Sequence, residues 1–138
     1  MFFTGKTTLE TDGYPFHPGG VYRLSIMQSK RFEVEKLEVK LSAYEQEMYV
    51  VDRGRNSTIK FDQVYFYRGN ILSETNVGDP DSDLVATGEL LIPLDRRGTF
   101  GSNTHSVHWC IHVKMNIRGR PDVDERFEIL VLPKGCEQ

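Results

Sequence analysis

The most constraining feature of the sequence is a long segment in which apolar and polar residues alternate. Over residues 106–118, every second residue is apolar, in the order Val107, Trp109, Ile111, Val113, Met115 and Ile117. The residues between them are His108, Cys110, His112, Lys114, Asn116 and Arg118. Because successive side chains of a β-strand point to opposite faces of a sheet, this period of two predicts a long strand with one buried and one wetter face.

Shorter segments repeat the alternation. It predicts further strands at residues 4–10, 21–27, 36–44, 58–67, 84–94 and 126–132. Their expected inward residues are Tyr22, Leu24 and Ile26; Leu37, Val39, Leu41 and Ala43; Ile59 and Phe61; Leu90, Ile92 and Leu94; and Phe127, Ile129 and Val131. The aromatic run 64–67 indicates a β-bulge, and Arg68-Gly69-Asn70 is typical of a tight turn. Residues 34–51 contain good helix formers, but a period of two fits 37–43 better than 3.6.

This pattern favours one all-β domain. A chain of 138 residues is long enough to bury a core of its own. Seven or eight strands separated by polar loops, among them 52–57, 76–83, 96–104 and 119–124, predict an antiparallel β-sandwich. We therefore expect a single domain over residues 1–138, with its core between about residues 14 and 133.

Charge and cysteine content narrow the class of partner. The net charge is −3, from 17 basic and 20 acidic residues, whereas nucleic-acid binders usually carry a basic excess. No apolar run is long enough for a membrane span, and the N-terminal residues do not have the pattern of a signal peptide. Cys110 lies in a predicted strand and Cys136 near the end, which makes a disulfide between them unexpected. These features favour a cytoplasmic protein that does not bind nucleic acid.

Three motifs could hold an ion or phosphate, and each is incomplete. Gly5-Lys6-Thr7 lacks the earlier glycine and strand of a phosphate-binding loop. Asp79, Asp81 and Asp83 could present carboxylates to calcium, but Leu84 and Leu90 stand where the EF-hand needs glycine and glutamate. His108, Cys110 and His112 share a strand face, yet the two histidines are too far apart to chelate without ligands from a neighbouring strand. No cofactor is therefore expected, and these three residues remain the weak metal candidates.

The sequence does not contain a recognisable catalytic arrangement. A Gly-x-Ser-x-Gly elbow is missing. Cys110 could be activated by its neighbouring histidines, but a thiol in mid-strand lacks the donors that acyl chemistry uses. The pairs Glu45 with Glu47 and Asp122 with Asp124 are typical of solvated charges. We expect a protein that is not an enzyme; a hydrolase using Cys110 is the weakest of three alternatives.

Arginines and tyrosines are the candidates for partner contact. Arginine pairs lie in predicted loops: Arg53 with Arg55, Arg96 with Arg97, and Arg118 with Arg120. Arginine can bind phosphate or carboxylate through two hydrogen bonds. Many charged residues in loops, however, serve only to keep the protein soluble. Tyr44, Tyr49, Tyr65 and Tyr67 could add aromatic surface of the kind that interfaces use. The residues selected for partner binding are Arg53, Arg55, Arg118, Arg120, Tyr65 and Tyr67.

Several of these segments together resemble the arrestin-like family. They are 14–21 (YPFHPGGV), 34–41 (VEKLEVKL), 88–94 (GELLIPL), 98–102 (GTFGS) and 106–114 (SVHWCIHVK). The resemblance runs from about residue 14 to 133 and implies an immunoglobulin-like sandwich that acts as an adaptor, without enzymatic activity. Arrestins carry two such sandwiches, whereas this sequence carries the pattern of one.

The leading hypothesis is therefore an arrestin-like adaptor or scaffold module. It would bind a protein or a peptide segment through edge strands and loops, and a homodimer is a further form of assembly to consider. The alternative hypothesis is a small metal- or ligand-binding sandwich that uses the strand face of His108, Cys110 and His112.

Overall fold

Two antiparallel sheets form the protein, as seen in a computed structural model that describes residues 2–4, 7–28, 33–77, 82–94 and 97–133. Within these ranges the strands are β1 (Phe2–Thr4), β2 (Thr8–Thr11), β3 (Val21–Met27), β4 (Val34–Arg53), β5 (Asn56–Val77), β6 (Leu84–Leu91), β7 (Phe100–Gly101), β8 (His105–Ile117) and β9 (Val123–Ile129). The predicted fold class, an all-β antiparallel sandwich, is confirmed.

The strands divide into a four-stranded and a five-stranded sheet. The first has the order β1-β2-β3-β6. In the second, β5, β4 and β8 follow one another, and β7 and β9 both pair with β8. Phe16, between β2 and β3, joins the first sheet to the segment that follows β9. Its N–H donates to the Leu130 carbonyl, and its carbonyl accepts from the Leu132 N–H.

One hydrophobic core lies between the sheets. Both sheets contribute to it, with fully buried Leu24 and Leu90 from the first and Leu41, Trp109 and Ile111 from the second. The predicted inward residues of β8 are all buried, and so are Phe127, Ile129 and Val131 near the end of the chain. Since Leu9 is also fully buried, the core begins earlier in the chain than the expected residue 14.

The first predicted strand is wrong in form. Residues 4–10 were expected to make one strand, but Phe2–Thr4 and Thr8–Thr11 form two paired strands, with Phe3 opposite Leu9. Leu94, expected on the inward face with Leu90 and Ile92, is 74% exposed. The reason is that β6 ends at Leu91, so the alternation of faces does not extend to Leu94.

The long β4–β5 hairpin departs most from the prediction. Arg68-Gly69-Asn70 does not form a turn, because these residues pair with Lys40, Leu41 and Ser42 inside β5. The predicted bulge is confirmed at Phe66: Tyr67 pairs with Ala43 and Tyr65 with Tyr44, which leaves Phe66 as the extra residue. Ile71 is extra in the same way, between Leu72 opposite Val39 and Asn70 opposite Lys40.

The bulge at Phe66 also overturns the predicted orientation of Ile59 and Phe61. Because one residue is inserted, Tyr65 shares the outer face with Tyr44, and the odd-numbered residues before it share that face too. Ile59 and Phe61 therefore lie on the outer face of the sheet and are each 58% exposed. Their predicted inward position is wrong.

Candidate functional site

The β4–β5 hairpin extends beyond the rest of its sheet. The pairing of β4 with β8 starts at Val34 opposite Ile117 and ends at Glu47 opposite His105. β4 and β5 continue to pair with each other as far as Arg53 opposite Asn56. We call residues 48–61 the arm. Within the described ranges, no further strand pairs with the arm on either side, although the Met48 N–H still donates to the Thr104 carbonyl, 2.8 Å away.

The outer face of the arm is apolar. Two cross-strand pairs make up this face, Met48 with Phe61 and Val50 with Ile59. Val50 is 57% exposed, and Ile59 and Phe61 are 58% exposed. Exposure at this level at adjacent positions differs from a single exposed apolar residue, which is common on soluble proteins. The arm therefore presents a continuous apolar surface to its surroundings.

A two-residue turn closes the arm. Gly54 has a φ of 65°, which places a positive φ at the first central position, as in a type II′ hairpin turn. Arg55 occupies the second position, and Arg53 ends β4, so both predicted arginines are exposed at the tip. The Ser57 hydroxyl donates to the Asp52 carboxylate beside them, 2.6 Å away.

Polar and aromatic contacts hold the base of the arm. The Gln63 amide donates to the Gln46 side-chain oxygen at 2.9 Å. Two pairs further along, on the same face, Tyr44 and Tyr65 have ring centroids 5.3 Å apart, and Tyr44 stacks on His108 at 5.0 Å. Burial raises the pKa of Tyr44. The predicted contact residue Tyr65 thus lies between the arm and the body of the sheet.

The other predicted contact residues lie elsewhere. Tyr67 is on the opposite face from Tyr65, 6.0 Å from Trp109 by ring centroids. Arg118 is at the far end of β8, next to Glu33 at 3.3 Å and Glu35 at 3.5 Å, and Arg120 follows in the turn. Since β4 and β8 run antiparallel, Arg118 and Arg120 are at the end of the sheet opposite the arm. The structure does not bring the two arginine pairs together.

The strand face of His108, Cys110 and His112 is as predicted, but each member is engaged separately. His108 bonds to the Ser106 hydroxyl at 2.8 Å, and His112 bonds to the Asp124 carboxylate. Cys110 is buried, 4% exposed, on a strand that pairs with β4 on one side and β9 on the other. Among the described residues, no three His, Cys, Asp or Glu side chains lie close enough together to hold a metal.

Cys110 is a buried thiol whose ionisation is disfavoured. Burial, helped by the Glu128 carboxylate, raises the pKa of this thiol above its usual value, so less thiolate is present at neutral pH. Conversely, the hydrogen bond from His112 lowers the pKa of Asp124.

Several predicted motifs fall partly outside the described residues. These are Gly5 and Lys6 of the phosphate-loop-like motif, Asp79 and Asp81 of the aspartate run, Arg96, and Cys136. Thr7 is described: it is buried, and its backbone N–H donates to the Glu125 carboxylate at 2.9 Å. Asp83 is exposed, and its carbonyl accepts from the Gln28 N–H.

Sequence reasoning missed the apolar face of the arm. Met48 and Val50 continue the even-numbered outer positions of β4, and Ile59 and Phe61 belong to the same face. The signal was a change of phase in β4, whose apolar residues lie at odd positions over 37–43 and at even positions at Met48 and Val50. Where β8 stops pairing with β4 is set by the distant residue His105. Within the described ranges, no helical segment has the length and apolar character of a membrane span.

Comparison with known proteins yields a limited likeness. No protein-family profile matches the sequence, and no curated protein matches it. The crystal structure of Spo0M, a sporulation control protein from Bacillus subtilis, is similar with a TM-score of 0.47 and 14% sequence identity. The likeness covers 91% of this chain and 48% of Spo0M, so the chain spans about half the length of that protein.

Proposed function

We propose that the chain is a non-enzymatic protein-binding module of arrestin-like type, an adaptor or scaffold that docks a partner protein on the arm. The observation that supports this most directly is the outer face of Met48, Val50, Ile59 and Phe61, which projects beyond the sandwich without a covering element among the described residues. Exposed apolar surface of this kind is typical of interaction sites, since burying it against a partner is favourable.

The free edge of β5 supports the same proposal. β5 is the outermost strand of its sheet, so the backbone N–H and C=O groups along one side of the arm are available to a further strand. An extended partner segment adding there would form backbone hydrogen bonds, and its alternate side chains would cover Ile59 and Phe61. The arginines at the tip, Arg53 and Arg55, would favour acidic residues at the end of that segment.

A two-stranded ribbon by itself is only marginally stable in water. The arm is such a ribbon, yet it retains exposed apolar residues where charged ones would make it more soluble. This combination is explained if the apolar side chains contribute binding energy on docking. The proposed partner is therefore a protein with an apolar, extended segment.

Site-specific cross-linking followed by affinity measurement tests the proposal. A photo-reactive amino acid at Ile59, compared with one at the exposed Thr87 of the other sheet, identifies the protein that contacts the arm. The affinity of that purified protein is then measured for wild type, for Val50→Thr with Ile59→Thr, and for the control Val21→Thr. Val21 is a matched control because it is 57% exposed, the same fraction as Val50.

The proposal predicts that the arm variant binds at least about tenfold more weakly, whereas Val21→Thr binds like wild type. A captured protein whose affinity is equal for all three forms would overturn the role of the arm.

A further inference from the structure

A group of cations lies on the outer face of the five-stranded sheet, in the body rather than on the arm. The strand register places Asn70, Lys40, His112 and Arg126 side by side across β5, β4, β8 and β9. Arg68 is opposite Ser42, in the neighbouring row. Residues from four strands therefore converge on one surface, independently of the apolar face of the arm.

These residues line a groove of about 410 Å³. Lys40, Arg68, Arg126 and His112 supply its basic groups, and Ser42 and Tyr65 supply hydroxyls. The residues lining the groove do not include a carboxylate. In a chain with a net charge of −3, this is a local reversal of sign.

The carboxylates around the groove already have basic partners. Glu38 pairs with Lys36 at 3.0 Å, Asp124 with His112, and Glu128 lies 4.0 Å from the His108 ring nitrogen. Among the described residues, Lys40, Arg68 and Arg126 do not form ion pairs of their own. Like charges placed close together on a sheet face are destabilising, so an external anion would relieve their repulsion.

The irregularities of β5 bracket the groove. The extra residues Phe66 and Ile71 lie on either side of the segment that carries Arg68 and Asn70. Both extra side chains pack against the core, while Arg68 and Asn70 share the outer face with Lys40 and Ser42. Bulges commonly re-aim side chains next to functional sites, and here they place a cation and an amide at the groove.

The geometry of Arg68 suits anion binding. Its guanidinium carbon lies over the Tyr65 ring, 4.1 Å from the ring centroid, which is a cation–π contact. The N–H groups project from the edge of the guanidinium plane, which is the side that forms paired hydrogen bonds with phosphate or carboxylate oxygens. The contact with Tyr65 thus restricts the Arg68 side chain at the groove, which both residues line.

We propose that this groove binds a tetrahedral dianion, namely inorganic phosphate or a small phosphate monoester. Two arginines and a lysine offer donors only, and the Ser42 and Tyr65 hydroxyls can also donate. Phosphate oxygens are acceptors, and two negative charges compensate the three cations better than a monocarboxylate would.

Titration of the full chain by two-dimensional NMR, at constant ionic strength set with chloride, tests the proposal. The probes are inorganic phosphate, glycerol phosphate as the monoester, and acetate as the monoanion. The variants are Arg68→Gln and, as a control, Arg23→Gln, an exposed arginine on the other sheet. Thermal unfolding of both variants verifies that each is folded.

Saturable shifts with phosphate at residues around Lys40 and Arg126, weakened at least about tenfold in Arg68→Gln and unchanged in Arg23→Gln, are expected. Tighter binding of glycerol phosphate identifies the ester as the source, and equal or weaker binding identifies the free anion. The proposal is overturned if phosphate shifts do not saturate, if acetate binds as tightly, or if Arg68→Gln binds like wild type. None of these results depends on the arm.

Discussion

The two halves of the β4–β5 hairpin are both regularly paired, but their most apolar faces are opposite ones, the inner face in the body half and the outer face in the arm. In the body half, Leu37, Val39 and Leu41 are at most 1% exposed, because β8 pairs beside them and the second sheet covers them. In the arm, Val50 and Ile59 continue regular pairing and are more than half exposed. The difference shows that alternation specifies a strand, whereas neighbouring strands and the opposite sheet decide whether its apolar face is buried or exposed.

The largest expected difference between the halves is in stability. Leu41→Ala should lower the free energy of unfolding by about 2–5 kcal/mol, because it leaves a cavity in a packed core. Ile59→Ala should lower it by at most about 1 kcal/mol, since the side chain is mostly in solvent. Denaturant unfolding of both variants measures this. Similar losses for the two variants would show that the arm is part of the folding core.

A smaller and kinetic contrast concerns two thiols on the same outer face. In a Cys136→Ser background, Cys110 should react with iodoacetamide at least about a hundredfold more slowly than a cysteine introduced by Ile59→Cys. Burial raises the pKa of Cys110 and shields it. Mass spectrometry of timed samples near neutral pH measures both rates. Rapid labelling of native Cys110 would contradict its burial and would support the hydrolase alternative.

The smallest effect concerns a polar pair on the outer face of the body, His112 with Asp124. His112 lowers the pKa of Asp124 below its ordinary 3.8. The stability that the ionised Asp124 carboxylate contributes is therefore present above its ordinary pKa and is lost as the pH falls through the lowered pKa. Asp124→Asn should lower Tm by at most about 3 °C above about pH 5, and the difference should disappear in acid. Asp122→Asn is the control.

A Tm difference for Asp124→Asn that persists unchanged at low pH would show that the carboxylate's charge is not the cause. An equal effect of Asp122→Asn would attribute the change to general surface charge.

Local patterns predicted much of the fold. The strand Val21–Met27 was predicted to the residue, and the bulge was placed in the correct aromatic run, because both depend on neighbouring residues. Arg68-Gly69-Asn70 was misread since its composition suits a turn, whereas pairing with Lys40–Ser42 keeps it in a strand. Tertiary pairing outweighed local preference there.

The candidate sites were harder to predict, because each depends on long-range pairing. Whether Ile59 faces the core depends on the insertion at Phe66 and on the end of β8. The cationic groove joins Lys40, Arg68 and Arg126 from three strands far apart in sequence. Individually, these residues look like solvated charges, and only the register brings them together.

Shortening the arm is the most direct test of its assignment to binding rather than folding. Deleting residues 48–53 and 56–61 retains Gly54-Arg55 as a turn closed by Glu47 and Asp62. Glu47 and Asp62 are opposite each other, as Arg53 and Asn56 are. The two pairs are separated by an even number of residues along each strand, so both are of the same hydrogen-bonding type. The account predicts an unfolding free energy within about 1 kcal/mol of wild type and loss of binding to the partner identified by cross-linking at Ile59. A shortened chain that fails to fold, or that binds the partner with wild-type affinity, would contradict it.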